Sequence, residues 1–288
     1  MRNNIIPRVV AAHDMSGFGR CSLTSVIPIL SVMGIQVCPI PTAVLSTHTG
    51  GFEGYTFADL TDTLPSYIRH WRELNLSFDC FYSGFLADKR QIAIMLDFLE
   101  LFNMSDRLIV VDPVFADNGK LYATFGKEFT GHMHALVKKA HIITPNMTEA
   151  CFLLGREYSK SISKREAKEM LRALSALGPG MSVITSVYLH DKYGAVAYDS
   201  LTDSFWHVES EYFPAEYPGT GDIFASVMTG SLLKGDSLPL AMDKAVRFIS
   251  LAIRTTYGYF TPFREGVLLE KVLQSLINSD FNVGYTIL

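Results

Sequence analysis

The chain of 288 residues has no uninterrupted apolar run of the roughly eighteen residues that a membrane-spanning helix needs. Its first eight residues lack the apolar core of a secretory signal, so the expectation is a soluble, cytoplasmic protein. Cysteine is sparse. Cys21, Cys38, Cys80 and Cys151 form neither a CxxC pair nor a metal-like spacing, which excludes a disulfide framework and a zinc site and leaves reduced core thiols. Charge is low and unclustered, with 25 Lys and Arg against 29 Asp and Glu and a formal net charge of −4. Without a basic block there is no footprint for nucleic acid or anionic lipid, and a small-molecule partner is expected. The chain also lacks a Walker GxxxxGK[ST] loop and the HRD and DFG segments of protein kinases. Repeats, low-complexity tracts and Pro/Gly/Ser-rich linkers are missing too, which predicts a single domain over residues 1–288.

What the chain does have is apolar content, 48% of its residues, arranged with a regular rhythm. Short β-rich runs at 8–12, 37–41, 78–83, 108–111, 141–144 and 182–185 alternate with segments of helical period at 23–33, 89–102, 148–154 and 164–176. This alternation predicts an α/β fold, a mostly parallel sheet covered by helices on both faces, with the active site at the carboxyl ends of the strands. Residues 188–199 and 204–208 read as antiparallel ribbons, a hairpin edge on that sheet. Helical period returns at 223–233, 238–257 and 267–276.

The most telling segment is Gly219-Thr220-Gly221-Asp222, at the mouth of an apolar helical run that ends near Lys234-Gly235. Glycines allow a sharp turn, and the first turn of a helix presents unpaired N–H groups and a partial positive charge to an anion. A carboxylate beside an anion site needs a second task, and taking a proton from an alcohol that attacks phosphorus is one that fits. Taken alone, the same four residues also fit a plain helix cap.

Four other polar clusters fall at predicted strand ends. His13-Asp14-Met15-Ser16-Gly17-Phe18-Gly19-Arg20 fits a ligand-binding loop or a cap, and its spacing is not that of a dinucleotide fingerprint. The hydroxyls and imidazole of Thr42-Ala43-Val44-Leu45-Ser46-Thr47-His48-Thr49-Gly50-Gly51 suit a neutral polar ligand or a self-bonded turn. Asp112, in Val111-Asp112-Pro113-Val114, and Glu149, in Thr144-Pro145-Asn146-Met147-Thr148-Glu149, could anchor Mg²⁺ through water, with Asp117 a turn further on. Helix capping is the competing role for Asn146 and Glu149. Tyr257, Tyr259, Phe260 and Phe263 could wall a nucleotide base or pack on the preceding helix.

In order and spacing, Val111-Asp112-Pro113-Val114, Ile143 to Glu149, Val183-Ile184-Thr185-Ser186 and Gly219 to Asp222 resemble the ribokinase superfamily over roughly residues 8–256. Ser46 to Gly50 and Ser83-Gly84-Phe85-Leu86 resemble its vitamin B6 kinases. The resemblance implies a ribokinase-like three-layer sandwich that transfers phosphate from ATP to the 5′-hydroxymethyl group of pyridoxal, pyridoxine or pyridoxamine. Asp222 would be the general base and Gly219, Thr220 and Gly221 the anion hole. Thr49, His48, Ser16 and Phe85 would meet the vitamer. Asp112, Asn146, Glu149, Thr185, Ser186, Tyr122, Phe213 and Thr220 would border ATP, while Asp117, Thr144 and Glu149 would serve Mg²⁺ and a monovalent cation such as K⁺. A homodimer is implied as well. Two positions depart from the pattern: Ala12 stands where many B6 kinases carry serine before the histidine, and Phe85 where tyrosine is common. The loop from Asp14 to Gly19 is similar to that of hydroxymethylpyrimidine kinases, which makes the pyrimidine the alternative substrate. A non-catalytic vitamer-binding protein is the alternative of another class.

Overall fold

The computed structural model describes residues 5–126, 128–189, 191–277 and 284–288, so Met1 to Asn4, on which part of the N-terminal reading rests, lie outside it. The chain runs β1 (Arg8–Ser16), α1 (Leu23–Val32), β2 (Gln36–Leu45), β3 (Phe57–Asp59), α2 (Leu64–Glu73), β4 (Cys80–Ser83), α3 (Lys89–Leu101) and β5 (Leu108–Val111). A small ribbon of β6 (Ala116–Asp117) and β7 (Lys120–Leu121) precedes α4 (Phe129–Val137), β8 (Ile142–Ile143), α5 (Met147–Leu154) and α6 (Lys164–Ser175). Then come β9 (Met181–Leu189), β10 (Lys192–Asp199), β11 (Ser204–Glu209), α7 (Thr220–Leu233), α8 (Leu238–Tyr257) and β12 (Thr286–Ile287).

Ten strands form one sheet in the order β12-β11-β10-β9-β8-β5-β4-β1-β2-β3. The six from β9 to β2 are parallel, while β3 on one edge and β10, β11 and β12 on the other run antiparallel. The predicted hairpin edge is therefore present. Strand order reverses at β1, whose successor β2 lies on one side and β4 on the other, and such a switch point opens a crevice at the strand carboxyl ends.

Strand β1 explains why both faces need cover. Val9, Val10, Ala11 and Ala12 are all fully buried, and successive side chains point to opposite faces. Val9 and Ala11 pack with residues of α1, α7 and α8, whereas Val10 and Ala12 pack with residues of α2 to α6. Helix α7 is buried from Ile223 to Ser231, as expected of a helix without a broad polar face, and Thr229 satisfies its hydroxyl by donating to the Ala225 carbonyl at 2.7 Å.

Several stretches differ from the sequence reading, the short strands β3, β6, β7 and β12 among them. Residues 267–276 do not form an α-helix: they make two 3₁₀ turns, Leu269–Lys271 and Leu273–Leu276, which bury Leu269, Val272 and Leu276. The reason is local, since the Leu268 N–H donates to Thr256 Oγ1 at 2.7 Å and ties the segment to α8. Helices α2 and α4 are additional to the predicted set; in α2, Leu64 and Ile68 are buried and Trp71 packs beside them, apolar positions at helical spacing.

Helix α5 is fixed by Glu149. Asn146 and Glu149 close a capping box, and the Glu149 carboxylate accepts from the N–H groups of Asn146 at 2.8 Å, Phe115 at 3.1 Å and Ala116 at 3.4 Å. Glu149→Ala would leave those buried donors without an acceptor, each omission typically costing about 1–3 kcal/mol. The variant is expected to lose more than about 2 kcal/mol of stability, read from the urea unfolding midpoint.

Candidate active site

The carboxyl ends of β1, β4, β5 and β8 point toward the start of α7, and the Gly219 turn closes the gap. Gly219 sits at φ 82, and a side chain there would come within 2.2 Å of the Arg20 carbonyl. Only glycine permits both that backbone angle and that approach. Beyond it the Ile223 N–H returns to the Gly219 carbonyl at 3.0 Å, so the amides of Thr220, Gly221 and Asp222 precede the first hydrogen bond within the helix.

Asp222 is held from the β1 side. Its Oδ2 accepts from the Ser22 N–H at 2.7 Å, and Ser22 is the N-terminal cap of α1. The carboxylate therefore lies at the positive ends of two helices, α1 and α7. Ser22 adopts φ 48, an unusual angle for a residue with a side chain, and its hydroxyl donates to Asp14 Oδ1. Asp14 accepts from the Ser16 hydroxyl as well, at 3.0 Å. The register of β1 against β2 shifts between His13 and Met15, with the extra residue in β2, and Asp14 sits at that irregularity beside these hydroxyls. Burial is the main cause that raises the Asp14 carboxyl above its ordinary value, with the Asp222 charge adding to it and the Ser22 hydroxyl opposing it.

Asp112 faces the same turn from the end of β5. Thr144 Oγ1 donates to its Oδ1 at 2.9 Å, and a side chain at Gly221 would stand 4.0 Å from its Oδ2. Its pKa is pushed up to about 8, first by burial and then by the Asp222 charge, with the Thr144 hydroxyl working the other way. Two carboxylates that face one turn suit a cation carried in by an anionic ligand. Among the described residues no three His, Cys, Asp or Glu side chains converge on a metal by themselves.

The substrate-side residues form a second rim. His48 Nε2 donates to the Arg264 carbonyl at 2.6 Å while its Nδ1 accepts from the Gly50 N–H at 3.1 Å, so both ring nitrogens are engaged. A side chain at Gly19 would strike the His48 ring, and one at Gly50 would touch Pro218, so the loop after β2 meets both the loop after β1 and the turn before α7. Thr49 is exposed and Ser16 buried, and Phe85 packs against Phe125 at 5.5 Å between ring centroids.

On the far side Asn146 pairs with Thr185, whose N–H donates to the Pro145 carbonyl at 2.9 Å, and Ser186 follows at φ 56. Asp117 accepts from the Asn118 N–H at 2.8 Å in the β6–β7 ribbon, and Tyr122 is partly exposed just after it. Phe213 lies against Tyr257 at the end of α8. The sequence reading did not single out Ser22, whose contribution is a main-chain N–H, or Arg264, which contributes a carbonyl. Only the unusual backbone angle marks the first, and no residue type announces it.

A family model described as phosphomethylpyrimidine kinase matches residues 30–262. Among solved structures, the chain is similar to a Bacteroides thetaiotaomicron protein solved as a candidate phosphomethylpyrimidine kinase in a crystal form with pyridoxal, with 49% identity, TM-score 0.95 and coverage of 98% of this chain and 100% of that one. It is also similar to pyridoxal kinase from Lactobacillus plantarum, with 32% identity, TM-score 0.86 and coverage of 96% and 98%. Sheep (Ovis aries) pyridoxal kinase is 28% identical over an alignment of 253 residues that covers 79% of this chain and 78% of that protein.

The raised Asp112 carboxyl has a consequence for stability. A carboxyl with a folded-state pKa of about 8 against an ordinary 3.8 binds its proton more tightly when folded, so ligand-free stability falls as pH rises between those values. Asp112→Asn is expected to flatten that fall, measured as urea midpoints of the ligand-free protein across the interval.

Proposed function

The chain belongs to the phosphomethylpyrimidine kinase family within the ribokinase superfamily, and from that premise we propose that it is an ATP-dependent kinase acting on the 5′-hydroxymethyl group of a B6 vitamer. The observation that carries this reading is the placement of Asp222: a carboxylate anchored by the Ser22 N–H, at the mouth of a helix whose first amides face the same opening.

Asp222 receives the proton of the vitamer hydroxyl as its oxygen bonds to the γ-phosphorus of ATP. The bond from that phosphorus to the β–γ bridging oxygen breaks, and ADP leaves. The amides at Thr220 and Gly221 lie where negative charge develops on the transferring group, and fixed donors there need no reorganisation. Positioning does most of the work, in keeping with the few reactive side chains present.

Mg²⁺ fits the donor set, because Asp112 is a buried carboxylate whose Oδ2 side faces Gly221 while its Oδ1 is held by Thr144. Asp112 would hold the ion, through water and beside Asp117, and bound Mg²⁺ would neutralise charge on the phosphates. Glu149 has its carboxylate committed to three backbone amides and serves the site by fixing Asn146. Asn146, Thr185, Ser186, Tyr122 and Phe213 line the nucleotide side. His48, Thr49, Ser16 and Phe85 line the vitamer side, His48 offering ring surface because its nitrogens are engaged.

Hydroxymethylpyrimidine is the second substrate reading, favoured by the description of the matching family model. A coupled ADP-release assay separates the two: pyridoxal, pyridoxine or pyridoxamine is expected to turn over faster than hydroxymethylpyrimidine, and the reverse order would transfer the assignment. Asp222→Asn is expected to lower kcat by about 10²- to 10⁴-fold with KM nearly unchanged, the usual contribution of a general base. Undiminished turnover in that variant would remove Asp222 from the role.

A further inference from the structure

His13 is fully buried, yet among the described residues neither of its ring nitrogens has a hydrogen-bond partner. Buried polar atoms left in that state are uncommon and call for a reason. Its Nδ1 lies 3.7 Å from Asp222 Oδ1, the carboxylate oxygen opposite the one that Ser22 holds. The ring stands edge-on to Tyr82, with centroids 4.4 Å apart, and the Tyr82 hydroxyl is 3.4 Å from the Asp222 carbonyl. Space for the imidazole is kept by Gly84, where a side chain would come within 2.3 Å of Nδ1. The nearby carboxylate of Asp14 is already served by Ser16 and Ser22, which leaves Asp222 as the acceptor that His13 faces.

We propose that His13 is a positioning residue for Asp222. A carboxylate only accepts, so the imidazole carries its proton on Nδ1 and directs it at Oδ1. A closure of a few tenths of an ångström when substrate enters brings the pair within hydrogen-bond distance, a tightening common in sites that assemble around their ligand. Asp222 is then fixed from both sides, by the Ser22 amide on Oδ2 and His13 on Oδ1, with the lone pair that takes the substrate proton aimed at the opening.

The inference rests on Asp222 being the base, so Asp222→Asn is measured first: if that variant keeps its turnover, the base assignment fails before His13 is tested. With the base in place, two substitutions separate positioning from packing. His13→Asn keeps a donor near Nδ1, and His13→Gln keeps one near Nε2, pointing away from Oδ1. The Gln variant is expected to lose about 10- to 100-fold in kcat, the scale of loss for a misplaced catalytic group, while KM for ATP and the thermal midpoint stay close to the parent values. The Asn variant is expected to recover most of that loss. In the Asp222→Asn background, His13→Gln should lower the residual rate little further, because residues acting as a unit are not additive. Equal activity of the two variants, or the same fold-loss from His13→Gln with and without Asp222, would overturn the proposal.

Discussion

Three carboxylates, Asp14, Asp112 and Asp222, gather around the start of one helix, and the rest of the site is arranged by the need to hold them there. The imidazole of His13 stands 3.7 Å from Asp222, while Arg20, whose carbonyl abuts Gly219, directs its guanidinium away to Glu270 and the Glu265 carbonyl. Compensation comes instead from hydroxyls and main-chain amides. Ser16 and Ser22 serve Asp14, Thr144 serves Asp112, and the Ser22 amide serves Asp222. Neutral donors offset only part of the cost of burial, which is why Asp112 remains raised to about 8. A site left electrostatically incomplete in this way is suited to a ligand that arrives with its own cation.

The same constraint accounts for the fold's local oddities. Ser22 takes a left-handed backbone angle because its amide must face Asp222 while its hydroxyl reaches Asp14. The β1–β2 register shifts beside Asp14, and Gly219 and Gly84 are glycines because Arg20 and His13 occupy the space a side chain would need. Strain of this kind tends to persist where surrounding structure dictates it, as at ligand sites.

Much of the architecture was legible in the sequence because buried parallel strands appear as short apolar runs between helical periods. The parallel strands β1, β2, β4, β5, β8 and β9 and the antiparallel edge of β10 and β11 follow from that rhythm, while the short β3, β6, β7 and β12 do not. What periodicity misses is structure held by single hydrogen bonds: residues 267–276 carry a helical pattern but are tied down by Thr256 into 3₁₀ turns. The strand-end residues Asp112 and Asn146 could be found because carboxylates and amides at the ends of buried strands are conspicuous, and Asp222 because it follows two glycines at a helix start. Ser22 could not, since its amide is a group that every residue except proline carries. Glu149 illustrates a third case, in which the residue was evident and two roles competed. Its oxygens accept from three backbone amides, and that geometry accounts for the capping role fully.

The alternation of β1 also separates two tasks that adjoin in sequence. Ala12 points to the face covered by α2 to α6, where it is wholly buried among apolar side chains, and His13 points to the face of α7, beside Tyr82 and Asp222. Substitution at position 12 therefore changes the surroundings of one sheet face without moving a group that touches the carboxylate on the other. That separation explains how serine can be absent at position 12 while the geometry around Asp222 stays intact.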